Sequence, residues 1–197
     1  MGHRGLYLSG VALAAVLFGA CSHAGAARTT AVQPAGSATI DRVVDGDTII
    51  VHVSGRRERV RLIGMDTPES VKPNTPVQCF AIAASDRTKA LLPPGTPVRL
   101  VADAEERDQY RRLLAYVYRA RDNLFVNLSL VRDGYAVPYT FPPNVAHTSE
   151  FVAAAADARD SGRGLWSACG PDERPSHPDV ATFGANDKVG RTAGLHS

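Results

Sequence analysis

Neither sign of charge dominates this sequence. Of its 197 residues, 22 are Lys or Arg and 20 are Asp or Glu, leaving a formal net charge of +2. A nearly neutral molecule has no global field with which to draw in a polyanion, so any affinity for one must come from locally placed arginines. No internal repeat divides the chain, which excludes an array architecture. Residues 6–18 form an apolar run, but it is too short for a comfortable membrane span. What is present is a hydrophobic content of 44% and a charged content of 21%. That balance suits one globular domain of roughly 100–150 residues with flanking segments.

Arg4, the apolar run and the small residues Gly19 and Ala20 before Cys21 have the layout of an export signal. Leu17-Phe18-Gly19-Ala20-Cys21 resembles a bacterial lipobox, in which the cysteine receives lipid and becomes the mature N-terminus. Phe18 stands where that box usually has leucine. Cleavage near Ala24-Gly25-Ala26 is the alternative and would release a soluble protein. The expected organisation is a lipoprotein-type signal peptide over residues 1–20, a small polar tether over 21–37, a working domain over 38–168 and a disordered tail over 169–197. The expected location is outside the cell, either anchored to the membrane through Cys21 or secreted.

Cysteine is scarce, with three in all. With Cys21 lipidated or removed, Cys79 and Cys169 remain. A disulfide between them would close a loop of about 90 residues, pin the last helix to the middle of the chain and contribute about 2–4 kcal/mol. Two buried thiols are the alternative.

Residues 38–44 and 48–53 are β-branched runs separated by Asp45-Gly46-Asp47, a hairpin signal. A third run, 59–63, alternates charged and apolar side chains after the turn at Ser54-Gly55 and leads to Asp66-Thr67-Pro68. Residues 77–92 carry apolar positions at helical spacing and stop at Pro93-Pro94-Gly95, and Thr75-Pro76-Val77-Gln78 at their start is a candidate capping box with proline at the first helical position. Strands are expected at 98–101 and 113–118, with a turn at Asp122-Asn123 toward Leu124-Phe125-Val126. Short helices are expected at 126–133, closed by Gly134, and at 149–161, closed by Gly162. Five strands with a helix between the third and fourth is the order of an OB-fold barrel, an α+β architecture with three packed helices.

Asp45 and Asp47 share one tight turn, and Asp66 and Glu69 follow a strand able to pair beside it. Such a cluster offers hard oxygen donors, the kind Ca²⁺ or Mg²⁺ takes, and the lack of nearby His and Cys argues against zinc. Asp-Gly and Asp-Thr-Pro are also ordinary turn formers. Arg61, five positions before Asp66, can face the same pocket, and Arg112 begins another strand. Two guanidiniums near a metal suit phosphoryl transfer, because bidentate donors neutralise charge developing on phosphate oxygens.

Val44-Asp45-Gly46-Asp47-Thr48, Arg61-Leu62-Ile63-Gly64-Met65-Asp66-Thr67-Pro68-Glu69 and Asp108-Gln109-Tyr110-Arg111-Arg112-Leu113-Leu114-Ala115-Tyr116 resemble, in order and spacing, the three signature blocks of the staphylococcal nuclease (thermonuclease) family. The resemblance continues through Val131-Arg132-Asp133-Gly134-Tyr135-Ala136 to Gly164-Leu165-Trp166-Ser167. It implies that Asp47, Asp66 and the Thr67 carbonyl hold a catalytic Ca²⁺, with Asp45 as a supporting carboxylate. It also implies that Glu69 orients or deprotonates the attacking water and that Arg61 and Arg112 bind the phosphate. Tyr110, Tyr139 and Phe141 are implied substrate contacts, and Phe141 lacks the hydroxyl of its family counterpart. Gln109, Arg111 and Leu113 depart from the lysine and glycines of the type member, which bears on substrate affinity and leaves the metal ligands intact. Each of the six histidines lies outside the signature blocks.

The expected function is therefore calcium-dependent hydrolysis of DNA and RNA, with single strands preferred, 3′-phosphate products and a monomeric enzyme. The alternative is a non-catalytic OB-fold module that binds nucleic acid as a surface lipoprotein.

Overall fold

β-Branched residues at Ile40, Val43, Ile49, Val51 and Val60 open the fold as a three-strand meander. β1 (Pro34–Val43) pairs antiparallel with β2 (Thr48–Val53), which pairs antiparallel with β3 (Arg56–Leu62). Ser54 and Gly55 turn the second hairpin with φ of 50° and 73°, the pair of left-handed residues a two-residue type I′ turn requires. The computed structural model describes residues 34–70 and 76–175. The proposed signal peptide, Cys21, most of the tether, Thr75 of the candidate capping box and residues 176–197 of the tail lie outside the described residues.

Gly64, at φ 81°, turns the chain out of β3 into the short β4 (Gly64–Asp66). A Cβ there would meet the Phe151 ring at 2.3 Å, so packing and backbone conformation both demand glycine. There follow α1 (Ala81–Leu91), β5 (Pro97–Val101), β6 (Leu113–Arg119), β7 (Leu124–Phe125), α2 (Val126–Arg132), β8 (Val137–Tyr139), α3 (Thr148–Asp160), the single turn α4 (Leu165–Ala168) and a 3₁₀ turn over Pro171–Glu173. β5 bridges β1 and β6 in antiparallel register, and β6 returns alongside β3 in parallel register. That last pairing closes five strands into the expected OB-fold barrel. β4 and β8 form a separate two-stranded ladder.

Inward side chains of the barrel, including Ile49, Val51, Val60, Leu62, Leu100 and Val117, merge with Leu130, Val131 and Phe151 of the helices into one core. α2 packs on β6 and α3. Asn127, on the buried face of α2, accepts from Val117 N–H at 2.9 Å and donates to the carbonyls of Ile63 and Ala115 at 2.9 and 3.1 Å, tying helix to barrel. Glycines 134 and 164 meet so closely that a Cβ on either would lie 2.2 Å from a backbone oxygen of the facing segment.

Beyond the short strands β4, β7 and β8, the structure differs from expectation at the start of α1 and at both ends of the domain. α1 starts at Ala81, four residues later than expected, because Gln78 and Cys79 are engaged elsewhere and Phe80 takes a left-handed φ of 68°. β1 begins at Pro34, ahead of the expected domain start at 38. Beyond 168, Cys169 is buried, the 3₁₀ turn follows, and Arg174 donates to the carbonyls of Trp166 and Cys169. Cys79 and Cys169 are joined in a disulfide across 90 positions of sequence. Loop-closure entropy for that separation amounts to about 4–5 kcal/mol. No helix among the described residues is long and apolar enough to cross a membrane.

Candidate active site

The turn between β1 and β2 delivers Asp47 into the interior, where it is only 4% exposed. Asp45 accepts from the Asp47 N–H at 3.1 Å, and α1 steadies the turn through Thr88, whose hydroxyl donates to the Gly46 carbonyl at 2.7 Å. Asp47 Oδ1 accepts from the Thr48 hydroxyl at 3.0 Å. Asp47 Oδ2 accepts both the N–H and the hydroxyl of Thr67, at 3.2 and 3.0 Å.

Arg61, on β3, lies between the two candidate metal carboxylates. One terminal nitrogen pairs with Asp47 Oδ1, the other with Asp66 Oδ1, and the second also reaches the Met65 carbonyl at 3.4 Å. Burial pushes the Asp47 carboxyl up to about 6, opposed by Arg61 and reinforced by Asp45 and Asp66. Burial pulls the Arg61 guanidinium down, but Asp47 and Asp66 overcome it, so it stays charged with its pKa raised.

Three carboxylates, Asp45, Asp47 and Asp66, thus surround one guanidinium. Three acidic groups facing one guanidinium leave a formal excess of negative charge, which a divalent cation would balance. The donor set is all oxygen, as Ca²⁺ and Mg²⁺ prefer. Among the described residues, no three or more His, Cys, Asp or Glu side chains converge as a full metal cage. Asp47 and Asp66 are oxygen donors held on either side of Arg61, and their chemistry fits such an ion. Glu69 follows in the same loop, with its backbone N–H and carbonyl both bound by Gln78, at 2.7 and 3.0 Å.

Arg112 reaches the site from the loop before β6. Asp108 organises this loop: its Oδ1 accepts from the N–H groups of Tyr110 and Arg112 at 3.0 and 2.9 Å, and its Oδ2 accepts from Arg112 Nε at 2.6 Å. Arg111 takes φ 64° there, a left-handed conformation that favours glycine, the residue the type member carries. The Arg112 guanidinium lies 5.5 Å from the Tyr110 ring centre. Arg61 and Arg112 line one cavity of about 470 Å³ together with Tyr110, Tyr139 and Phe141. The β4–β8 ladder sets Gly64 opposite Tyr139 and Asp66 opposite Val137, so the aromatic segment is anchored to the strand that carries Asp66. Tyr110 and Phe141 are 71% and 61% exposed, available for stacking.

The structure therefore brings Asp45, Asp47, Asp66, Thr67 and Arg61 together, and places Arg61, Arg112, Tyr110, Tyr139 and Phe141 on one cavity. Sequence reasoning missed Asp108, Asn127 and Asn144. Asn144 accepts from Glu105 N–H at 2.8 Å and donates to its carbonyl at 3.3 Å, joining the Phe141 segment to the loop ahead of Arg112. Asp108, four residues before Arg112, carried a signal as a turn former. The other two carried none, because their partners are remote in sequence.

Fold and site define a class: a small closed barrel with a surface cavity that carries two arginines, one of them paired with a buried and a half-buried aspartate. The family described as staphylococcal nuclease homologue matches residues 59–168. Thermonuclease of Staphylococcus intermedius is 46% identical over 127 residues, covering 64% of this chain and 74% of that protein. Thermonuclease of Staphylococcus hyicus is 42% identical over 126 residues, covering 64% and 73%. Endonuclease YncB of Bacillus subtilis (strain 168) is 38% identical over 133 residues, covering 67% and 62%. The chain belongs to the staphylococcal nuclease family and is a nuclease, a phosphodiester hydrolase, of that family.

Proposed function

We propose that this chain is a calcium-dependent endonuclease that hydrolyses DNA and RNA by water attack and releases 3′-phosphate products. The observation that carries this reading is Arg61, held between Asp47 and Asp66 on the wall of the cavity that also presents Arg112. Asp47, Asp66 and the Thr67 carbonyl would hold the ion. When bound, Ca²⁺ supplies Lewis-acid polarisation of the phosphodiester.

Glu69 orients the attacking water and takes its proton as general base. Arg61 and Arg112 donate to the non-bridging oxygens, and their charge is matched to the additional negative charge of the transition state. Arg112 also assists the departing 5′-oxygen. Tyr110, Tyr139 and Phe141 stack on the bases, a surface that accepts splayed single strands more readily than a rigid duplex. The enzyme acts as a monomer.

Digestion of single- and double-stranded DNA and RNA by the purified protein, with added Ca²⁺ or with EDTA, tests the reading. Acid-soluble nucleotides released equally in EDTA would sink it, and Glu69→Gln at the full wild-type rate would remove Glu69 from the mechanism. We further propose that residues 1–20 direct export, with Cys21 lipidated or the chain released by cleavage beyond it. The mass of the mature N-terminus separates these forms.

A further inference from the structure

The loop after Asp66 reaches α1 through Gln78 and Cys79. The Glu69 N–H donates to Gln78 Oε1 at 2.7 Å, and the Gln78 N–H donates to the Glu69 carbonyl at 3.0 Å. One residue further, Cys79 is covalently bound to Cys169. Cys169 is buried in a small apolar cluster with Val137 and Leu165, against which Cys79, Phe80 and Trp166 pack. Val137 is also the register partner of Asp66 in the β4–β8 ladder. Both ends of the segment that carries Glu69 are thus seated on one cluster, the Asp66 end through the ladder and the Gln78 end through the disulfide.

Gln78 is exposed, and two hydrogen bonds made at the surface compete with water and hold only modestly. The covalent bond at the neighbouring residue restricts how far Gln78 can move away. We propose that Gln78 and the Cys79–Cys169 disulfide together form the positioning device for Glu69, holding its backbone so that its carboxylate faces the attacking water. The proposal rests on the reading of Glu69 as general base. Gln78 is a positioning residue that acts through Glu69, and turnover as well as stability depends on the disulfide.

Kinetics of the full chain on single-stranded DNA in Ca²⁺, for wild type, Glu69→Gln, Gln78→Ala, the Glu69→Gln/Gln78→Ala pair and Cys79→Ala/Cys169→Ala, test it. Gln78→Ala is expected to lower kcat about tenfold with KM within about twofold, the signature of misplacement rather than lost binding. Its thermal midpoint should stay close to wild type, and Gln78→Glu, which keeps the accepting oxygen, should recover most of the rate. The cysteine pair variant, assayed where circular dichroism shows it folded, should lose kcat to a similar degree. The Glu69→Gln/Gln78→Ala pair should be no slower than Glu69→Gln alone, because both act through one group. Wild-type kcat in Gln78→Ala, wild-type kcat in the folded cysteine variant, or losses that multiply in the pair would overturn the proposal while leaving Glu69 as base. Wild-type kcat in Glu69→Gln would instead overturn the reading beneath it.

Discussion

Thr67 grips a single oxygen of Asp47 twice, its N–H and its hydroxyl both donating to Oδ2 at 3.2 and 3.0 Å. The contact joins the β1–β2 turn to the loop after β4, and it leaves no room for a larger turn residue, since a Cβ on Gly46 would lie 2.5 Å from the Thr67 hydroxyl. Thr67→Val keeps the shape and the backbone donor but strips one hydrogen bond from a buried carboxylate. It should destabilise the protein by about 1–3 kcal/mol in urea unfolding. Calcium titration should show weaker binding as well.

Arg61 contacts Asp47 and Asp66 with separate nitrogens of one planar fork. A lysine is a point charge on a flexible stem and cannot span both carboxylates while also facing the cavity. Arg61→Lys should therefore lower kcat by about 10²–10³, with a smaller change in KM. Steady-state kinetics at saturating Ca²⁺ checks this.

Asp47 gives the metal-free protein a recognisable pH response. Burial raises its folded-state value from 3.8 to about 6, so the folded protein holds a proton that the unfolded chain has released. The stabilisation from this group is fully present below 3.8 and is lost as pH rises through about 6. It is worth about 3 kcal/mol in full, of which about 2 kcal/mol falls between pH 4 and pH 7. Paired carboxylates such as Asp133, whose value is lowered by Arg132 and Arg87 despite its own burial, act in the opposite sense. The difference between wild type and Asp47→Asn isolates the Asp47 contribution. In EDTA, that difference should change by about 2 kcal/mol between pH 4 and pH 7 in chemical unfolding. Calcium affinity should rise over the same interval, because the ion displaces the proton.

Asn127 holds three buried backbone groups at the junction of α2, β6 and the end of β3. Asn127→Leu leaves the Val117 N–H without its acceptor and should cost about 2–4 kcal/mol in unfolding experiments. Because Ile63 adjoins the turn into β4, activity below the melting temperature should fall too. Parallel melting curves and rate measurements separate the two effects.

Much of the barrel was legible from local pattern. The β-branched runs in 38–44 and 48–53 became β1 and β2, the alternating run at 59–63 became most of β3, and the glycine-stopped stretches became α2 and α3 within a residue or two. β4 and β8, of three residues each, were not legible, because strands that short exist only through their partners, and of β7 only the turn leading to it was. The start of α1 escaped for a related reason. Gln78 turns back to Glu69, and Cys79 is bound to a residue 90 positions away, so helix-start chemistry near Pro76 was outweighed by tertiary ties.

By itself, the sequence determined which groups the chemistry has at its disposal. Asp45 and Asp47 belong to one tight turn and Asp66 lies five residues past Arg61, relationships set by local turn and strand geometry. Only the tertiary structure decided that Arg61 and Arg112 share a cavity. That follows from the parallel register of β3 on β6, which sets Val60 beside Leu113 and Arg61 beside Leu114. Such a register is selected by burying Val60, Leu62 and Ala115 together inside a closed barrel, a collective gain in apolar burial that no local stretch of sequence contains.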